Sequence, residues 1–245
     1  MNRTDHRLSD SLRPIKFTPN YQEFALSSVL VEMGKTKVIC AVSVEEKVPP
    51  FMRGGGQGWL SVEYAMLPGS TDTRTLRDEQ KTNGRNKEIQ RLIGRALRSV
   101  LLKKKLGERT LQVDCDVLQA DGGTRTASIN GAYVAVYLAC LKLIKMGVIG
   151  CMPLVEPVAA VSCGLLQEEL YLDLSFSEDS VCECDFNIAM TESGKIVEIQ
   201  ASAEKAPFSQ NQLDAMIKLA QDSLELIFAK QKEIIEFCKK ENNSF

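Results

Sequence analysis

The chain has 245 residues, 44% of them apolar and 25% charged, enough to fill one large core or two small ones. Its single histidine, His6, excludes a Ser-His-Asp triad and any multi-histidine metal site, so chemistry must come from carboxylates, arginines, hydroxyls or backbone. The net charge of -2 excludes a uniformly basic chain, but residues 71–109 hold twelve Lys or Arg against five Asp or Glu, leaving 18 basic and 27 acidic residues elsewhere of the 30 and 32 in all.

The opening "MNRTDHRLSD" has no apolar core region, and no run reaches the roughly 18 apolar residues of a membrane span. A cytoplasmic chain without membrane contact is expected. Eight cysteines are scattered without a CxxC, and Cys40, Cys115 and Cys184 sit in strand-like patterns, so buried reduced thiols are expected rather than disulfides.

In "TKVICAVSVEE", Val38, Cys40, Val42 and Val44 alternate at period two and predict a half-buried strand. "FMRGGGQGW" then reads as a flexible loop with a tryptophan anchor. Ile89, Leu92, Ile93, Ala96, Leu97, Val100 and Leu101 recur at helical spacing. Asn83 or Asn86 is placed to cap this helix, Lys103, Lys104 and Lys105 to meet its negative end, and Gly107 to close it. Its Arg85, Lys87, Arg91, Arg95 and Arg98 equally fit a charged face shown to water. "LQVDCDV" predicts another strand.

Next comes "LQADGGTRTASING", followed by a second apolar stripe of Ile129, Ala132, Tyr133, Val136, Cys140 and Leu143 ending near Met146-Gly147. The first turn of a helix leaves four N-H groups unpaired and carries about half a positive charge, so an anion is stabilised there. Gly122 and Gly123 let the backbone approach closely, the Thr124 hydroxyl suits an oxyanion, and Arg125 offers a planar fork for phosphate oxygens. A tight turn with Thr124 as a mere cap and Arg125 in solvent fits the same residues. Neither a Walker loop nor a dinucleotide fingerprint is present.

Strands are predicted at about 158–174, 181–191 and 196–203, and a last helix from about Gln210 towards Lys239, with a fraying tail beyond. In "SEDSVCECDFNIAM", Cys182, Cys184, Phe186 and Ile188 share one face while Glu183, Asp185 and Asn187 share the other. Asp179 can approach Asp185 if the chain turns between them, and two carboxylates can hold a hard ion such as Mg²⁺. A solvated acidic strand is the other reading. The order of elements, with no linker-like stretch, predicts one α+β unit over residues 1–245, with mixed sheets packed against helices.

"GGGQGWLSVEYAMLP", "NGRNKEIQRLIGRALRSV", "VDCDVLQADGGTRTASINGA", "SEDSVCECDFNIAMTESG" and "EIQASAEKAPFS", in this order and spacing, resemble the bacterial ribonuclease PH family from about Arg3 to Lys230. The resemblance implies a single ribonuclease PH-like domain with a βαβα arrangement like domain 2 of ribosomal protein S5. It implies a phosphorolytic 3'-to-5' exoribonuclease, a tRNA nucleotidyltransferase that trims tRNA precursors and other RNAs by passing terminal nucleotides to inorganic phosphate. The implied phosphate ligands are Arg85, Gly123, Thr124 and Arg125, the implied Mg²⁺ and leaving-group residues Asp179 and Asp185, and the implied RNA contacts Arg74 and Arg77. It further implies a homohexameric ring, a trimer of dimers. A noncatalytic scaffold subunit of an exosome-like ring is the alternative, and retained phosphate and aspartate positions argue against it. His6, Gly69-Ser70 and Ala201-Ser202 depart from the family pattern.

Overall fold

Val38, Cys40 and Val42, the alternating residues of the first predicted strand, are fully buried, in a computed structural model that describes residues 3, 5–77, 84–205 and 207–242. They lie on Thr36–Glu45 (β3), preceded by Ile15–Pro19 (β1) and Ser27–Met33 (β2). Trp59–Met66 (β4) and Thr110–Gln119 (β5) complete a five-stranded sheet in the order β1-β2-β3-β5-β4. Its pairs are antiparallel except β4 with β5, which run parallel. A parallel pair needs a crossover, and Gly84–Ser99 (α1) lies within it.

The predicted basic helix ends sooner than its apolar stripe suggests. α1 stops at Ser99, and Lys103–Leu106 forms a separate short helix (α2). Leu101 is drawn instead into a β-bridge with Leu154, so tertiary pairing outcompetes the helix there. Asn86 lies inside the first turn and is buried, so it is not the cap; Asn83 falls outside the described residues. Lys103, Lys104 and Lys105 therefore belong to α2, which Gly107 closes.

Thr124–Lys145 (α3) is buried almost all round and packs against β2, β3 and the second sheet. By length and composition it is the one helix among the described residues apolar enough to cross a membrane, yet 78% of that stretch lies inside the protein. Asn130, fully buried, accepts from the Ala160 N-H at 2.8 Å and donates to the Ala160 carbonyl at 2.9 Å. Such paired use of both amide groups makes a buried asparagine tolerable.

The predicted strand at 158–174 is a hairpin, Val158–Leu166 (β6) and Glu169–Leu172 (β7). The turn lies at Gln167 and Glu168, both at positive φ (51° and 66°). Two-residue hairpin turns of that kind usually carry Asn or Gly, so "QE" gave no turn signal. Phe176–Asp179 (α4) and a turn precede Cys184–Thr191 (β8), so the strand starts three residues later than expected. Ile196–Ala203 (β9) closes a four-stranded sheet ordered β7-β6-β8-β9. Gln210–Asn242 (α5) covers it, and Phe186 is completely buried with Leu224, Ile227 and Met216 between them. Burying one such side chain contributes about 1.5–3 kcal/mol. The cysteines are free, and all but Cys151 are buried.

Candidate functional site

The double glycine makes the site. Gly122 and Gly123 hold φ of 73° and 64°, a left-handed backbone that residues with a Cβ adopt only at a cost. A Cβ on Gly122 would come within 2.7 Å of the Ser175 carbonyl carbon, so the turn sits directly against the chain entering α4. Gly123 is the N-cap of α3 and Thr124 its first helical residue. Thr124 is thus not the cap. Its hydroxyl accepts from the Tyr64 hydroxyl at 2.9 Å. Arg125 is half-buried and donates from Nη1 to Gln200 Oε1 at 3.0 Å, so it is not simply in solvent.

Burial raises the Asp179 pKa, with the positive charges of Arg125 and Arg85 pulling the other way. Burial also raises that of Asp185, helped by the negative charge of Asp179 and opposed by Arg125 and by the Asn187 amide, which donates to Asp185 Oδ1 at 2.8 Å. The Tyr64 phenol is pushed up by burial and drawn back by its Thr124 bond and the charges of Arg85 and Arg125. Arg85, Arg125, Asp179 and Asp185, contributed by α1, α3, α4 and β8, therefore share one electrostatic neighbourhood with Thr124 at the mouth of α3. Among the described residues no three metal-ligating side chains converge, so a hard ion held by Asp179 and Asp185 would need water or substrate oxygens to complete its shell.

Sequence reasoning missed the layer beneath. Asp173, fully buried, takes Arg13 in a two-pronged pair, Nε to Oδ2 at 3.0 Å and Nη2 to Oδ1 at 2.7 Å, and also accepts the Arg13 backbone N-H at 2.8 Å. The other edge of the same guanidinium donates to the Asp121 carbonyl, and the Thr36 hydroxyl donates to the Gly122 carbonyl at 2.6 Å. Arg3 reaches Glu178 Oε1 from Nε at 2.8 Å and Oε2 from Nη2 at 2.9 Å. Glu178 also completes a capping box with Ser175 at the start of α4. Burial pushes the Glu178 pKa up, but the bonds from Arg3 and Ser175 outweigh it and hold it low. An amino-terminal strap of arginines thus pins both the glycine turn and the helix carrying Asp179. The pairs join residues 160 and 175 positions apart, and no local pattern announces them.

Other predicted residues lie elsewhere or serve structure. Arg74 and Arg77 are exposed, and the charge of Arg77 acts on Asp116 of β5 rather than on the aspartates above. On α1, Arg95 pairs with Glu198 at 2.8 Å from Nε. Arg98 lies 4.9 Å over the Trp59 ring, which Phe51 meets edge-on at 5.5 Å. Part of the basic segment therefore holds the fold together.

Residues 11–142 match domain 1 of the 3' exoribonuclease family and residues 156–223 match its domain 2. The chain is 52% identical over 236 residues to ribonuclease PH of Bacillus velezensis, covering 95% of this chain and 96% of that one. It is 50% identical over 238 residues to ribonuclease PH of Dehalococcoides mccartyi, covering 96% and 99%. Its fold resembles a chain of the Archaeoglobus fulgidus exosome solved with RNA bound to the active site, at a TM-score of 0.79 and 21% identity over 96% of this chain and 92% of that one. With both family domains present in order and half of its residues shared with these relatives over nearly its whole length, the chain belongs to the ribonuclease PH family of 3' exoribonucleases.

Proposed function

We propose that this chain is a phosphorolytic 3'-to-5' exoribonuclease, a nucleotidyltransferase that trims RNA 3' ends, those of tRNA precursors among them. The observation that carries the reading is the convergence of Arg85 and Arg125 with Asp179 and Asp185 at the mouth of α3. Attack of phosphate on a phosphodiester brings two anions together. Arg85, Arg125, the Thr124 hydroxyl and the helix N-terminus at Gly123 offset that repulsion and hold the nucleophile in line. Asp179 and Asp185 fit a hard divalent ion such as Mg²⁺, because both are oxygen donors whose ionised forms burial disfavours, and the charge of Asp179 adds to that penalty at Asp185. Bound there, the ion would supply Lewis-acid stabilisation of charge on the departing 3' oxygen. Exposed Arg74 and Arg77 suit backbone contacts to RNA.

The test is chemical. Incubated with a 3'-tailed RNA, the protein is expected to shorten it only when inorganic phosphate is present and to release nucleoside diphosphates. Excess nucleoside diphosphate should extend the 3' end. Monophosphate release without phosphate would refute the reading, and complete inactivity would favour a scaffold subunit.

The same reading makes the two family domains one working unit in a cytoplasmic homohexameric ring, a trimer of dimers. Chains of an archaeal exosome and of an archaeal exosome core are among its fold relatives, which fits a chain that works in an oligomer. Sedimentation at assay concentration should give a hexamer, and a fully active monomer would refute it.

A further inference from the structure

Arg125 does not stand alone at the mouth of α3. Its Nη1 donates to Gln200 Oε1 at 3.0 Å, and the same amide donates from Nε2 to Glu88 Oε1 at 2.6 Å. Glu88 lies one helical turn beyond Arg85 on α1. Two residues before Gln200 on β9, Glu198 takes Arg95 of α1, so β9 is tied to α1 at two points along one face. Gln200 is the node where that tie meets α3, joining the helix that carries Arg85 to the one that carries Arg125.

The amide is chemically apt in two ways. A carboxylate at this place would cancel the charge with which Arg125 attracts an anion, whereas a neutral carbonyl fixes the guanidinium and leaves it cationic. The amide N-H₂ at the other end engages Glu88, so a single amide stands between that carboxylate and Arg125, for which it would compete with phosphate.

We propose that Gln200 is a positioning residue that sets the two arginines in register for inorganic phosphate and keeps Glu88 from occupying Arg125. The inference rests on the reading of this mouth as the phosphate site. Its prediction is a split: Gln200 governs the phosphate concentration needed for half-maximal rate and leaves turnover at saturating phosphate and the KM for RNA nearly unchanged.

The experiment measures both constants for phosphate, and the KM for RNA, in the wild type, Gln200→Glu, Gln200→Ala, the double variant Gln200→Ala with Glu88→Ala, and Arg125→Ala. Gln200→Glu is expected to raise the half-saturating phosphate about tenfold, the scale of one charge-assisted hydrogen bond. Gln200→Ala should raise it less, and adding Glu88→Ala should recover much of that loss. Because Gln200 lies on an exposed edge strand, the alanine variant offers a well-folded readout should the glutamate one misfold. Unchanged phosphate dependence in the Gln200 variants, beside a raised one in Arg125→Ala, would overturn the role of Gln200 alone. A loss of turnover without a phosphate shift would also overturn it, as would no recovery in the double variant. Unchanged phosphate dependence in Arg125→Ala would instead overturn the phosphate site itself.

Discussion

Asp185→Asn is expected to lower turnover on the order of 100-fold or more, the scale seen when one transition-state stabiliser is removed. The replacement keeps the shape of the side chain, and its amide oxygen can still accept from Asn187, whose Nδ2 lies 2.8 Å from Asp185 Oδ1. Folding and assembly should therefore survive. Stability at neutral pH should hold or rise slightly. The folded-state pKa of Asp185 is raised by burial and by Asp179, so its charged form is penalised in the folded protein, and the stability that goes with protonation is lost as pH rises through that value. Arg125→Ala should differ, raising the phosphate requirement and also loosening its hold on both aspartates, whose pKa values its charge lowers. Turnover is to be measured at saturating RNA and phosphate across a range of Mg²⁺ concentrations. Near-normal turnover by Asp185→Asn throughout would reduce the aspartate to a structural strand residue bonded to Asn187.

Asp173→Asn should cost about 3–5 kcal/mol of stability, the range found when one partner of a buried ion pair is removed and the other is left uncompensated. Asp173 is completely buried and faces two cations, Arg13 at 2.7 Å and Arg7 at 3.7 Å. Asp173 also holds a positive φ of 51°, a backbone that Asn tolerates, so the loss in Asp173→Asn reports the missing charge rather than strain. The same strap gives an acid limb. Glu178 is held below its ordinary value of 4.5, so the stability it contributes is fully present above that pH and lost as pH falls through the lowered value. Urea unfolding at neutral pH checks the first claim, and a loss under about 1 kcal/mol would show that this buried pair contributes no more than an exposed one.

A local pattern was enough for most of the elements. Alternation at Val38, Cys40 and Val42 and the stripe from Ile89 to Leu97 record which face of a strand or helix meets the core, and that face depends only on the period of the element. The pairing "GGTR" likewise carried its own physics, because positive φ and a helix N-terminus are properties of neighbouring residues. Where a competing partner lies far along the chain, the pattern failed. α1 ends early because Leu101 pairs with Leu154, and the turn at Gln167 and Glu168 is imposed by the β6-β7 pairing rather than by turn residues. The second layer of the site belongs wholly to the tertiary structure: Arg13 on Asp173, Arg3 on Glu178, and Gln200 between Arg125 and Glu88. Each joins residues far apart in the chain, and only the packing of the two sheets around α3 brings them within hydrogen-bonding distance. The sequence by itself determined which residues are chemically able to hold an anion and a cation; the tertiary structure decided that they face one another, because electrostatic coupling depends on separation in space.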